Sequence, residues 1–188
     1  MESYWANLQK KITAMGYSEI EAIPSYIEPI MGYEKTFSDW KKKIKGKYPY
    51  QMVTMHYMKR AHTVFDNIGQ LSEAFKNPVY ISDEDAKKEG IITGNTVLIE
   101  SSVGKTLRTA LVSSRVMPGC VVMLHGKWSE VDEKTGLDLN GADSALCPAS
   151  ITAGQGTSGY NSQIINISKY SDEPLTPDAE KPLRMVNL

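Results

Sequence analysis

The sequence predicts a mainly β domain closed into a barrel, with only short helices. Three observations carry this. Apolar and polar residues alternate over short runs: Thr96 to Ser101 sets Val97 and Ile99 on one face, and Lys105 to Ser113 sets Leu107, Thr109 and Leu111 against Thr106, Arg108 and Ala110. Gly or Pro turns separate the runs, at Thr93-Gly94-Asn95, Ser102-Val103-Gly104 and Met117-Pro118-Gly119. The helical stretches among the strands are too short for repeated parallel crossovers, which argues against a doubly wound sheet.

In chain order, Tyr4 to Met15 carries Tyr4, Trp5, Leu8, Ile12 and Met15 at helical spacing, and Gly16 is a stop. Ala22 to Lys47 reads as an extended connector, because Pro24 and Pro29 restrict their neighbours. Trp40 beside Lys41-Lys42-Lys43 reads as an anchoring indole in a solvated linker, the basic run being short and isolated. Pro49 opens a strand through Tyr50, Met52 and Val53. Asn67 to Phe75 forms a short helix burying Ile68, Leu71, Ala74 and Phe75, and Pro78 to Ile81 a short strand. Ser82 is an N-cap with Asp85 three residues on, so Asp83 to Lys88 is a two-turn helix ended by Gly90. The strands Cys120–Leu124 and Gln163–Ile167 complete the set. From Ser171 the charged, proline-bearing tail is expected to be poorly ordered.

Composition excludes several function classes. Twenty-one basic residues against 22 acidic ones, for a net charge of −1, give no nucleic-acid face and no polybasic membrane contact. No apolar run is long enough to span a bilayer, and no signal peptide pattern opens the chain. Cys120 and Cys147 lack C-x-x-C spacing, so a metal or iron–sulfur site from this chain alone is not expected, and Cys120 reads as a small buried hydrophobe.

The chemistry concentrates where strands run out. After Thr54 the apolar pattern stops, and His56, Lys59, Arg60, His62 and Thr63 follow before the first carboxylate, Asp66. Cationic and hydroxyl donors in that density suit an anion such as a phosphate or pyrophosphate, against the plainer reading of a solvated basic loop. A second cluster, His125-Gly126-Lys127-Trp128, also follows directly on a strand. Its glycine admits a close backbone N–H, and its indole offers a flat face with one donor; the alternative is that His125 and Trp128 merely close a barrel end. Asn140 to Ser162 is long, small and polar, the composition of a functional loop.

The same residues carry a resemblance. H-x-x-x-R-x-H-T from His56 to Thr63 follows a YPYQ strand and is succeeded in order by FDN, NPVYISDEDAKKEGIITGNTVLIES, the Pro-Gly before Cys120, HGKW and GYNSQIINI. The series, from about Tyr48 to Tyr170, resembles the last domain of the dimethyl sulfoxide reductase family. Those proteins are large catalytic subunits of molybdenum or tungsten enzymes with two molybdopterin guanine dinucleotides. The resemblance implies a six-stranded double-psi β-barrel over residues 48–170, preceded by an interdomain helix and linker (1–47) and followed by a tail (171–188). It implies that the chain is a piece of a longer protein.

Roles follow from the resemblance for binding only. Lys59, Arg60 and His62 would meet phosphate or pterin oxygens, and Thr54 and Thr63 would donate hydroxyls. His56 belongs to the same donor loop. His125, Gly126 and Trp128 would lie near the pterin, and Asn161 and Ser162 would give amide and hydroxyl contacts. Asp143 is an acceptor for a pterin amino group or a cap for its own turn. The metal ligand comes from an earlier domain in the family, so no catalyst or metal ligand is expected here. Implied partners are the remaining domains of the catalytic subunit and an iron–sulfur electron-transfer subunit. The commonest family form has Asn near Ser144, Thr at Cys147 and Gly-Asn-Pro near Ser158-Gly159; this chain departs at all three. Its wording resembles the branch with pyrogallol–phloroglucinol transhydroxylase, which includes members without net redox change. A free-standing barrel serving protein interaction is the reading from another class, because double-psi barrels carry unrelated functions.

Overall fold

The computed structural model of the chain describes residues 2–17, 31–148 and 161–175. The prolines of the connector, Pro24 and Pro29, the middle of the Asn140–Ser162 loop and the tail from residue 176 lie outside the described residues. The elements in order are helix α1 (Glu2–Ala14), strands β1 (Phe37–Asp39), β2 (Ile44–Lys45) and β3 (Tyr50–Met55), helix α2 (Gly69–Ala74), β4 (Val79–Ile81), helix α3 (Asp83–Glu89), β5 (Thr96–Glu100), β6 (Lys105–Val112), β7 (Cys120–Leu124), β8 (Leu137–Asp138) and β9 (Gln163–Ser171).

Six strands close a ring in the order β4-β7-β3-β9-β5-β6, with β6 pairing back to β4. β3 pairs parallel to β7, and β4 parallel to β6; β3–β9, β4–β7, β5–β6 and β5–β9 are antiparallel. Exchanging the first three barrel strands (β3, β4, β5) with the last three (β6, β7, β9) maps every pairing onto itself or onto another of the same direction. This pseudo-twofold weave, with two interlocked parallel pairs, is the double-psi arrangement. Closure removes every exposed sheet edge from the ring.

Strand alternation fills the interior. Met52, Val79, Ile81, Val97, Ile99, Val121, Met123, Ile165 and Ile167 are fully buried, each from a ring strand turning alternate residues inward. The β-branched majority suits this pleated, crowded wall. Each fully buried aliphatic side chain contributes on the order of 1.5–3 kcal/mol. β6 departs from the expected alternation: Thr106, Leu107 and Arg108 are all buried. Polar Thr106 and Arg108 tolerate burial because Asp138 and the Gly141 carbonyl accept from them.

α3 forms as its signals direct. Ser82 Oγ accepts from the Asp85 N–H at 3.1 Å, and Gly90 ends the helix at φ +63°. Asp85 also accepts the Gly119 N–H at 2.6 Å, which ties the helix to the start of β7. On α1, Trp5, Leu8 and Ile12 are half-buried while Tyr4 and Met15 are exposed.

Two stretches are more structured than the sequence suggests. The connector contains the β1–β2 hairpin, where Tyr33, Phe37 and Trp40 pack edge to face and Lys43 and Lys45 lie over their rings. The expected loose tail holds to the barrel at its start: β9 runs on to Ser171, the Asp172 and Glu173 carbonyls accept from Asn95 and Thr96, and the Leu175 N–H donates to Thr109.

Candidate functional site

Parallel pairing of β3 with β7 decides where the site forms. Parallel neighbours end on the same side, so the chain leaving Met55 and the chain leaving Leu124 emerge together, in register. His56 and His125 are the first residues out. The His125 N–H donates to the Met55 carbonyl at 2.9 Å, extending the ladder by one rung.

All three histidines of the chain gather there. Ring centroids are 5.3 Å apart for His62 and His125, 5.6 Å for His56 and His62, and 6.2 Å for His56 and His125. His62 Nδ1 lies 3.2 Å from His125 Nε2, and His125 Nδ1 lies 2.6 Å from Asp143 Oδ2. Asp143 is 1% exposed, and its other oxygen accepts the Gly126 N–H at 3.0 Å. The hydrogen-bonded order is thus Asp143, His125, His62. Among the described residues no group of histidines, cysteines and carboxylates is arranged to hold a metal ion.

A second hub stands underneath. Asp66 is 5% exposed and meets Arg60 at 2.9 Å, Lys127 at 3.2 Å and Lys59 at 3.6 Å, and accepts the Trp128 N–H at 3.0 Å. Burial opposes its ionisation, but the Trp128 N–H, the Arg60 hydrogen bond and the charges of Lys127 and Arg60 outweigh burial and hold the carboxyl below its ordinary value. Burial likewise pushes the Lys59 ammonium down, against the pull of Asp66.

The structure therefore divides the predicted donors into two sets. Lys59 and Arg60 are not turned outward as the sequence suggests; they are buried on Asp66, six residues after Arg60. Arg60 also reaches the Asn77 side chain and the Leu124 and His125 carbonyls. Arg108, which the sequence reading passed over, grips the same Leu124 carbonyl at 3.1 Å and the Gly141 carbonyl at 2.6 Å. Two arginines thus fix the exit of β7. The outward set is His56, His62, Thr63 and Trp128, all exposed, with His125 half-buried between them.

Gly126 has a part in the protein's own packing. At φ +88° it lies so close to the His62–Thr63 peptide that a Cβ would collide with the His62 carbonyl. His62 itself is left-handed at φ +54°, an uncommon conformation for a residue with a side chain. Trp128 Nε1 donates to the Thr63 carbonyl at 2.9 Å, joining the two loops again. Thr54 and Asn161 form a tether beside the cluster: Asn161 Oδ1 accepts from the Thr54 N–H at 2.9 Å and the Thr54 hydroxyl at 3.0 Å. Ser162 is half-buried next to it at the start of β9. Two cavities of about 430 and 440 Å³ open elsewhere, one along Lys47 and 100–105, the other between Tyr33, Lys45 and Pro118.

Residues 50–164 match the model of the molydopterin dinucleotide binding domain. The chain belongs to that family. It is 33% identical over 106 residues to the probable dimethyl sulfoxide reductase chain YnfF of Escherichia coli, covering 56% of this chain and 13% of that protein. It is 29% identical over 168 residues to the trimethylamine-N-oxide reductase of Pasteurella multocida, covering 85% and 20%. The structure of acetylene hydratase from Pelobacter acetylenicus superposes with a TM-score of 0.64 at 17% identity, over 85% of this chain and 22% of that one. The chain spans a fifth or less of the length of these two reductases.

A molybdopterin dinucleotide-binding domain needs donors for pyrophosphate and pterin oxygens and faces for flat rings. The exit of β3 and β7 supplies both. His56, His62 and the Thr63 hydroxyl present ring-nitrogen and oxygen groups able to hydrogen-bond, and Trp128 adds an exposed indole. Lys59, Arg60, Lys127 and Arg108 stand against Asp66 and Asp143, so cations outnumber carboxylates beneath the cluster. The residues present fit the group. In the dimethyl sulfoxide reductase family it is molybdopterin guanine dinucleotide carrying molybdenum, which supplies the redox chemistry when bound.

Proposed function

We propose that this domain works as the last part, residues 48–170, of a molybdopterin-dependent oxidoreductase catalytic subunit, and that it holds its cofactor at the joint exit of β3 and β7. The observation that supports this most is the gathering of His56, His62 and His125 beside Trp128 above the buried Asp66 hub. His56, His62 and Thr63 bind pterin or phosphate oxygens. His125 and Trp128 flank the pterin. Lys59 and Arg60 act from beneath, by rigidity and field, and Thr54, Asn161 and Ser162 line the neighbouring edge. The metal ligand and the rest of the enclosure come from other domains of the subunit, and an iron–sulfur subunit is the natural electron partner.

Two expectations follow. In the full-length protein, His62→Ala or Arg60→Ala lowers cofactor occupancy, whereas Lys42→Ala in the exposed connector leaves it unchanged; equal occupancy in all three returns the 54–63 loop to a solvated basic turn. The 188-residue chain alone turns over no substrate and purifies without molybdenum, and stoichiometric metal by elemental analysis would contradict that.

A further inference from the structure

We infer that Asp143, acting through His125, sets the tautomer of His62 and so decides whether the ligand-facing nitrogen of His62 accepts or donates a hydrogen bond. This rests on the proposed binding role of His62 for its consequence, but not for its evidence.

With His125 neutral, the chain of hydrogen bonds admits one consistent assignment. A carboxylate only accepts. Asp143 Oδ2 lies 2.6 Å from His125 Nδ1, so that nitrogen carries the hydrogen. Neutral His125 then presents a lone pair at Nε2. His62 Nδ1 faces it at 3.2 Å and must therefore carry its own hydrogen. That leaves His62 Nε2 bare, on an exposed ring, with no partner among the described residues. Asp143 is held from both sides, by His125 and by the Gly126 N–H, so it does not reorient to relax the pattern.

The arrangement gives His62 two states. With the relay neutral, Nε2 is an acceptor, suited to an N–H or NH₂ group of a pterin. A second hydrogen on the ring, at Nε2, leaves both existing hydrogen bonds in place. Nε2 then donates, which suits a phosphate or pterin oxygen. The charged and titratable groups around the relay are His56, Lys59, Arg60 and Asp66 from the loop after β3, Lys127 from the exit of β7, and Asp143 itself. Lys59, Arg60 and Lys127 are met by Asp66, and Asp143 is the carboxylate in contact with an imidazole. Asp143 and His125 are positioning residues in this scheme, acting on the ligand only through His62.

The test is histidine tautomer assignment by two-bond ¹H–¹⁵N correlation on the 188-residue chain at neutral pH. His62 and His125 are expected as the Nδ1–H form. In Asp143→Asn, the amide oxygen stays on the Gly126 N–H and the amide NH₂ turns to His125. His125 then inverts to Nε2–H and donates to His62 Nδ1, so His62 inverts as well, while His56, outside the relay, keeps its wild-type pattern. A variant that merely loosened the loop would shift all three rings toward mixed tautomers. If Asp143→Asn does not fold, His125→Gln serves: it cuts the relay and leaves Asp143 on Gly126, and His62 loses its Nδ1–H preference. An Nε2–H form for His62 in the wild type, or unchanged His62 in the folded variant, overturns the inference. Neither outcome depends on cofactor occupancy, which tests the binding reading separately.

Discussion

Removing the Asp66 carboxylate should be strongly destabilising. In Asp66→Ala, the Arg60 side chain (0% exposed) and the Lys59 side chain (2% exposed) lose their counter-charge, and Lys127 loses its partner at 3.2 Å. Breaking a buried ion pair from one side costs about 3–5 kcal/mol, because a cation is left desolvated and unpaired. The Trp128 N–H is orphaned as well. For a domain of this size each kcal/mol moves the melting midpoint by about 2–4 °C, so a fall of roughly 6–20 °C is expected. Lys42→Ala, which breaks an exposed pair with Asp39 at 3.5 Å, should cost no more than about 1 kcal/mol. Urea titration followed by far-ultraviolet circular dichroism measures both. The pH dependence adds a signed check. Asp66 is held below its ordinary value of 3.8, so its contribution is complete above that value and disappears as pH falls through the folded one. The gap between wild type and Asp66→Ala should therefore close on the acid side. A loss below about 1 kcal/mol at neutral pH would refute the picture of a buried hub.

Three further outcomes are expected. Gly126→Ala should destabilise by more than Gly136→Ala in the same denaturation assay: both are left-handed, a cost of about 1–3 kcal/mol, but only at Gly126 does a Cβ strike backbone, at the His62 carbonyl. Tyr50 is pushed well above its ordinary value of 10 by burial and by its hydrogen bond to Glu89. Its contribution is intact below pH 10 and is lost as pH rises toward the folded value, so Tyr50→Phe should flatten the alkaline limb of the stability curve. Ser82→Ala removes the cap on Asp85 N–H and should cost about 1 kcal/mol of stability.

All six strands of the ring were legible in the sequence, as short alternating or, for β7, continuous apolar runs set off mostly by Gly or Pro turns. Their mutual order was not, since pairing β3 with β7 across 69 residues leaves no local trace; only the family resemblance supplied the double-psi form. The β1–β2 hairpin escaped because its strands are too short for a period, and its stability comes from Tyr33, Phe37 and Trp40 meeting one another and two lysines. β9 was read only to Ile167, where the buried alternation stops, although pairing with β5 continues to Ser171. At the site, residue types were legible and directions were not. The donors from His56 to Thr63 stand out in the sequence, but whether a given one faces a ligand depends on where the next carboxylate folds. Asp66 folds under the loop and takes Lys59 and Arg60 with it, while the histidines stay outside. Asp143 was left between a ligand acceptor and a turn cap; it caps no turn, and its oxygens meet His125 and the Gly126 N–H.

The most direct test of the binding reading is the structure of the full-length, cofactor-loaded protein, read for which residues of this domain lie within hydrogen-bond distance of the dinucleotide. His56, His62 or Thr63 should touch a pterin or phosphate atom, with Trp128 against the same ligand and Lys59 and Arg60 still on Asp66. A dinucleotide lying instead along the groove of Lys47 and residues 100–105, with the three histidines facing nothing, would contradict it.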